Sequence, residues 1–91
     1  MDNPRIAFLF DELADLLDIS GENHARARGY REVADRVRTY PEALHAVAAR
    51  GGIRQIPGVT KALEAKLIEL LATGTFPALD HARVQIPASL R

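Results

Sequence analysis

Gly51-Gly52-Ile53-Arg54-Gln55-Ile56-Pro57-Gly58-Val59-Thr60-Lys61-Ala62-Leu63 is the stretch that decides the fold. Two glycines stop one helix, a short turn comes next, and Ile-Pro-Gly-Val leads into the start of another. Pro57 locks one backbone dihedral on the way in. Gly58 lets the chain turn tightly and approach another backbone, and Val59 is placed to pack the hairpin onto a core. The first amides of the second helix lack internal acceptors, and a helix start with open N–H groups suits a phosphate. Lys61 adds a positive charge at the same end. The plain alternative is an ordinary Pro-Gly turn between two helices.

This is the pattern of a helix-hairpin-helix loop, which grips the nucleic-acid backbone and ignores base sequence. One position departs from the usual form. Two residues after Gly58, where a second glycine is common, stands Thr60. A β-branched residue disfavours left-handed backbone, although a threonine there can cap the next helix instead.

Beyond the hairpin, apolar spacing predicts helix nearly everywhere. Ile6, Leu9, Phe10, Leu13, Leu16 and Leu17 recur at the three-four spacing of one helical face, with Asn3 as N-cap, Pro4 as first helical residue and Gly21 as stop. Tyr30, Val33, Ala34 and Val37 continue the pattern in a second helix from about Ala25 to Tyr40. Pro41 opens a third, with Leu44, Val47 and Ala48 inward. The fourth runs from about Thr60 to Thr73 on a stripe of Leu63, Leu67, Leu70 and Leu71, and Gly74 stands at its C′ position. Pro77 starts a last short turn containing Leu79. Arg83-Val84-Gln85-Ile86 alternates like a strand but has no partner. The expected fold is therefore all-α, a small four-helix domain over residues 1–87.

The 91 residues are 47% hydrophobic and 26% charged, an ordinary globular balance that makes one domain. Apolar runs are too short for a membrane-spanning helix. No secretory signal is visible, so a cytoplasmic location is expected. Disulfides and thiolate metal sites are excluded because there is no cysteine. Twelve basic and twelve acidic residues cancel, which excludes coating nucleic acid through bulk charge. Those charges are segregated, however. Residues 1–23 carry six acids against Arg5, whereas residues 24–38 carry five arginines against Glu32 and Asp35. Arg54, Lys61 and Lys66 face only Glu64 within residues 51–66. Such a dipolar surface steers an anionic partner at zero net charge; the bland alternative is solvated helix faces.

Gly21-Glu22-Asn23-His24-Ala25-Arg26-Ala27-Arg28-Gly29-Tyr30-Arg31, then Tyr40-Pro41, Ile56-Pro57-Gly58-Val59, Ala65-Lys66-Leu67 and Ala72-Thr73-Gly74 carry a wider likeness. Together they resemble the N-terminal domain of bacterial X-family DNA polymerases and, more distantly, the 8-kDa lyase domain of DNA polymerase beta. The resemblance covers roughly residues 3–87. It implies a DNA-binding repair domain that takes the 5′-phosphate side of gapped or nicked DNA, as in base excision repair. A 5′-phosphate pocket of Arg26, Tyr30 and Arg54 is implied, with Arg28, Gly58, Val59, Thr60 and Lys61 also on the DNA. A further lysine of the family's pocket falls at Ala62. The resemblance also implies that the carbonyls of Arg54, Ile56 and Val59 can hold a monovalent cation, Na or K, bridging to a DNA phosphate; no cofactor is required. Val84-Gln85-Ile86-Pro87-Ala88-Ser89-Leu90 resembles the linker into the polymerase domains, with 88–91 as its start. Those domains are the implied partners within a parent chain, and a monomer is the expected state.

The same resemblance places the lyase lysine at Lys66, which would attack the C1′ aldehyde of an abasic sugar phosphate, with Tyr30 as a nearby proton donor or acceptor. Such an amine must be neutral part of the time, and burial or neighbouring cations lower a lysine from its free value of ~10.4. At ~100° per residue Lys66 lies on the flank of the apolar stripe. Against this, Glu69 three residues on offers a surface ion pair, and the acid that can precede the family's lysine is Ala65. Lyase chemistry and DNA-end binding without chemistry therefore both stand. His24, His45 and His81 lack metal-ligand spacing, Ser20 and Ser89 have no activating partners, and Asp11-Glu12-Asp15 reads as a solvated face. Polymerase chemistry needs a carboxylate cluster on another domain. The reading from a different class is a helical protein-interaction module that keeps this fold without binding DNA.

Overall fold

Asn3–Ser20 forms α1 in the computed structural model, which describes residues 1–21 and 23–86. The three-four stripe of Ile6, Leu9, Phe10, Leu13 and Leu16 is buried, joined by Ala7 and Ala14. The predicted cap is displaced by one residue: Asp2 accepts the Arg5 N–H at 2.9 Å and is the N-cap. Asn3 serves another helix. Its Oδ1 accepts the Leu44 N–H at 2.9 Å, and its Nδ2 donates to the Glu42 carbonyl at 2.7 Å. The third helix, α3, accordingly spans Leu44–Ala49 rather than opening at Pro41. Ala43 at its N-cap position offers no side-chain acceptor, and Asn3 supplies one from across the fold.

The second helix, α2, spans His24–Arg38, with Asn23 accepting the Arg26 N–H. α1 packs chiefly on α2. Their apolar seam is flanked by ion pairs: Arg31 reaches Asp15 and Asp18, and Arg38 reaches Asp11 and Asp35. α3 ends in a Schellman turn, with Gly51 N–H donating to the Ala48 carbonyl and Gly52 N–H to that of Val47. A 3-10 turn at Ile53–Gln55 then leads through the hairpin into α4, Lys61–Thr73. Gly74, left-handed at φ 86°, closes α4 by donating to the Leu70 carbonyl.

The segment after Gly74 is more than the expected short turn. Pro77–Gln85 is a full helix, α5, so the described residues contain five α-helices rather than four. It absorbs the strand-like Arg83-Val84-Gln85 run: Leu79 and Ala82 face the core, and Val84 is 82% exposed. Arg83 anchors α5 on α1 through two bonds to Glu12, at 2.6 and 2.8 Å. Ile86, read as linker, is buried; the rest of the expected linker lies outside the described residues. The Asp11-Glu12-Asp15 face is therefore not simply solvated, because each acid ties α1 to α2 or α5. Phe10 is the centre of the core, stacked on Phe76 at 5.3 Å and tilted against Tyr30 at 6.0 Å. The buried side chains among the described residues are all hydrophobic.

Two predictions come from these contacts. Asn3→Ala leaves the Leu44 amide without its acceptor, at a cost of about 1–2 kcal/mol in urea unfolding. Asp18 gives the pH dependence. Hydrogen bonds from His24 and then Arg31 hold its carboxyl below the ordinary 3.8. A depressed acid stabilises fully above its unfolded value and loses that contribution as pH falls through its folded value. Asp18→Asn should thus lower the melting temperature at neutral pH, with the gap to the parent closing as pH drops well below 3.8.

Candidate nucleic-acid interface

The hairpin has the geometry its residues dictate. Val59 N–H donates to the Ile56 carbonyl at 3.1 Å, closing a four-residue turn with Pro57 and Gly58 at its centre. Gly58 has φ 87°, the left-handed value a type II turn requires at that position. Ile53, Ile56 and Val59 are buried and pin the loop to the core from both sides of the turn. Thr60 is extended at φ −85°, not left-handed, and its hydroxyl accepts the Leu63 N–H at 3.3 Å. Of the two options open to a threonine here, the cap is the one taken. The Glu64 N–H goes to the Thr60 carbonyl. The amides of Lys61 and Ala62 find no acceptor among the described residues and open outward at the start of α4.

Beside that start lies a cleft of about 230 Å³ between α2 and α4. Arg26, Gly29 and Tyr30 form one wall; Ala62, Leu63 and Lys66 form the other. Tyr30 is 4% exposed, its ring held by Phe10. Arg26 Nη2 donates to the Tyr30 hydroxyl at 3.0 Å, and its guanidinium lies 5.8 Å from that ring's centre. A buried tyrosine thereby orients an exposed guanidinium, leaving it further N–H donors for an anion. Lys66 is half-buried, as its place on the flank of the stripe predicts, and makes no ion pair with Glu69 or any other acid among the described residues.

The charge distribution favours this side of the molecule. Arg31, Arg38, Arg50 and Arg83 are occupied by carboxylates, Arg50 by Glu42 of the loop before α3. Those pairings raise all four guanidinium groups further above their ordinary value, chiefly through the carboxylate hydrogen bonds for Arg31, Arg50 and Arg83. Arg26, Arg28, Arg36, Arg54, Lys61 and Lys66, together with Arg5 on α1, have no carboxylate partner among the described residues. At ~100° per residue, Arg31 and Arg38 share the flank of α2 that meets α1, whereas Arg26 and Gly29 lie on the flank that meets α4.

Of the residues singled out in the sequence, Arg26, Tyr30 and Lys66 come together around this cleft, with Ala62 on the same wall as Lys66. Arg54 is exposed on the 3-10 turn, outside the cleft's lining, and Lys61 is exposed one residue from it. Arg28 is exposed on α2, about half a turn from Tyr30. Among the described residues the Arg54 and Val59 carbonyls accept no hydrogen bond, and that of Ile56 accepts only the Val59 N–H. No group of three or more potential metal-binding side chains occurs among the described residues. Nor is any described helix long and apolar enough to cross a membrane.

Gly29 is the residue sequence reasoning passed over. It sits inside a helix, where glycine costs stability relative to alanine, and a Cβ built there meets nothing within 4 Å. Packing does not require it; its lack of a side chain widens the cleft.

Comparison with curated proteins finds no match. Comparison with protein families matches residues 1–76 to a helix-hairpin-helix domain, a class whose members commonly bind DNA. The match takes in the hairpin, both walls of the cleft and the core that holds them, and the chain belongs to the helix-hairpin-helix domain family.

Proposed function

We propose that this chain is the DNA-end-binding module of an X-family repair polymerase, seating the 5′-phosphate side of a gap or nick without reading sequence. The observation that carries this is the joint placement of Arg26, Tyr30 and Lys66 around one cleft beside the open amides of α4. The terminal phosphate sits against Arg26 and Lys66. The Lys61 and Ala62 amides and the Gly58 turn run along the sugar-phosphate chain, with Arg54 and Arg28 adding charge at its margins. The carbonyls of Arg54, Ile56 and Val59 would hold a monovalent cation, which neutralises a phosphate oxygen when bound. Such contacts fix position and carry no sequence information.

Lys66 supports a further step at the same seat. Its neutral amine attacks C1′ of a terminal abasic sugar, and loss of water gives an imine. Removal of a C2′ proton then breaks the C3′–O3′ bond, which leaves a 5′-phosphate on the downstream strand; water afterwards frees the amine. The Tyr30 hydroxyl, aligned by Arg26, is the nearby group able to exchange a proton.

Gapped duplex carrying a 5′-phosphate should bind at least about tenfold tighter than the same duplex without it, and more weakly as salt rises. Gly29→Ala should raise stability by about 0.5–1 kcal/mol yet weaken the phosphate-dependent binding by narrowing the cleft. Equal, salt-insensitive binding to both duplexes would overturn the phosphate seat and favour the protein-interaction module instead. For the chemistry, borohydride should trap a covalent complex with an incised abasic substrate, and Lys66→Ala should abolish it. Equal trapping by that variant would remove Lys66 from the role.

A further inference from the structure

Arg26 and Tyr30 border a second cleft on their other side. It measures about 540 Å³ and lies between the last turns of α1, the start of α2 and α5. Because the two clefts share these side chains, they abut across the Arg26–Tyr30 hydrogen bond. The accessible apolar surface of the larger one comes from Leu17, Pro77 and Ala78, over the buried Leu13, Leu16 and Ala82, with His81 and Gln85 exposed beside it. His81 and Gln85 are exposed and one turn apart on α5, so they present themselves together. No carboxylate is among the lining residues that the structure describes.

That combination selects its occupant. An apolar floor takes a flat ring system face-on. A carboxamide that both donates and accepts, beside an imidazole, meets a ring edge bearing both kinds of group. The guanidinium at the boundary takes an attached anion. A nucleobase joined through its sugar to a phosphate has all three parts.

We propose that this cleft receives the unpaired terminal nucleobase of the strand whose 5′-phosphate lies at Arg26. The inference rests on the phosphate seat proposed for Arg26 and Lys66 and adds a contact to it: the base leaves the duplex stack and lies on Leu17, Pro77 and Ala78, its edge against Gln85 and His81. Recognition is of a base as such, since one carboxamide serves either hydrogen-bonding pattern by rotating.

The test uses two 5′-phosphorylated duplexes with a one-nucleotide 5′ flap. One flap carries 2-aminopurine and the other a baseless tetrahydrofuran sugar; unphosphorylated versions of both are run alongside. The base-bearing flap should bind at least about fivefold tighter, with a change in 2-aminopurine fluorescence. A His81→Ala/Gln85→Ala double variant, altered only at exposed positions, should lose most of that gain and keep its preference for the 5′-phosphate. Ala78→Trp, at a half-buried lining position, fills the cleft and should act likewise. Equal binding of base and baseless flaps, with phosphate preference intact, would overturn the base cleft alone. A gain undiminished in the double variant would also overturn it, by placing the base elsewhere. Absence of phosphate preference in every duplex would overturn the phosphate seat on which it rests.

Discussion

The acids of α1 determine where this protein can be positive. Asp11, Glu12, Asp15 and Asp18 point from one helix toward α2 and α5, and they hold Arg38, Arg83 and Arg31. Each such pair is partly exposed and contributes little to stability by itself. Their larger effect is to sort the cations. A chain of zero net charge keeps its paired arginines mainly on the α1 side and leaves Arg26 and Lys66 unpaired beside the hairpin, among the described residues. The packing obeys the same division. Phe10 reaches from α1 into the centre and holds Tyr30, which in turn holds Arg26. An exposed guanidinium is thus positioned by a core that starts with the apolar stripe of α1.

The hairpin complements this with backbone rather than side chains. Pro57 and Gly58 make a turn few other pairs would form as readily, and Ile56 and Val59 bury its two ends. The loop therefore arrives at the start of α4 with little freedom left, and the amides of Lys61 and Ala62 face outward without a cost in ordering on contact with an anion. A site built from amides, one oriented arginine and one lysine is suited to a phosphate backbone and unsuited to reading base sequence.

Local chemistry is legible in the residues themselves. The turn, the glycine stops at Gly21 and Gly74, and the buried stripes arise from backbone preferences and periodicity within a few residues. Thr60 is legible only as a choice between left-handed strain and capping, because both depend on a single dihedral. Features requiring partners distant in the chain are not legible. Asn3 looks like an ordinary N-cap until α3 lies beside it 41 residues on. α5 looks like a turn because Val84 breaks its apolar pattern and its anchor, Arg83, pairs with Glu12 across 71 residues. The clustering of Arg26, Tyr30 and Lys66 is implied by resemblance alone, and the part played by Gly29 emerges only once α4 is seen opposite it.

The most direct measurement is a backbone ¹H–¹⁵N NMR titration of the folded chain with a gapped, 5′-phosphorylated duplex, recorded at low and moderate salt. The account places the largest shift changes at the amides of Gly58 to Leu63 and of Arg26 to Tyr30, with the outward face of α1 around Phe8 and Ile19 unmoved. Changes confined to that α1 face, with the hairpin amides silent, would contradict it.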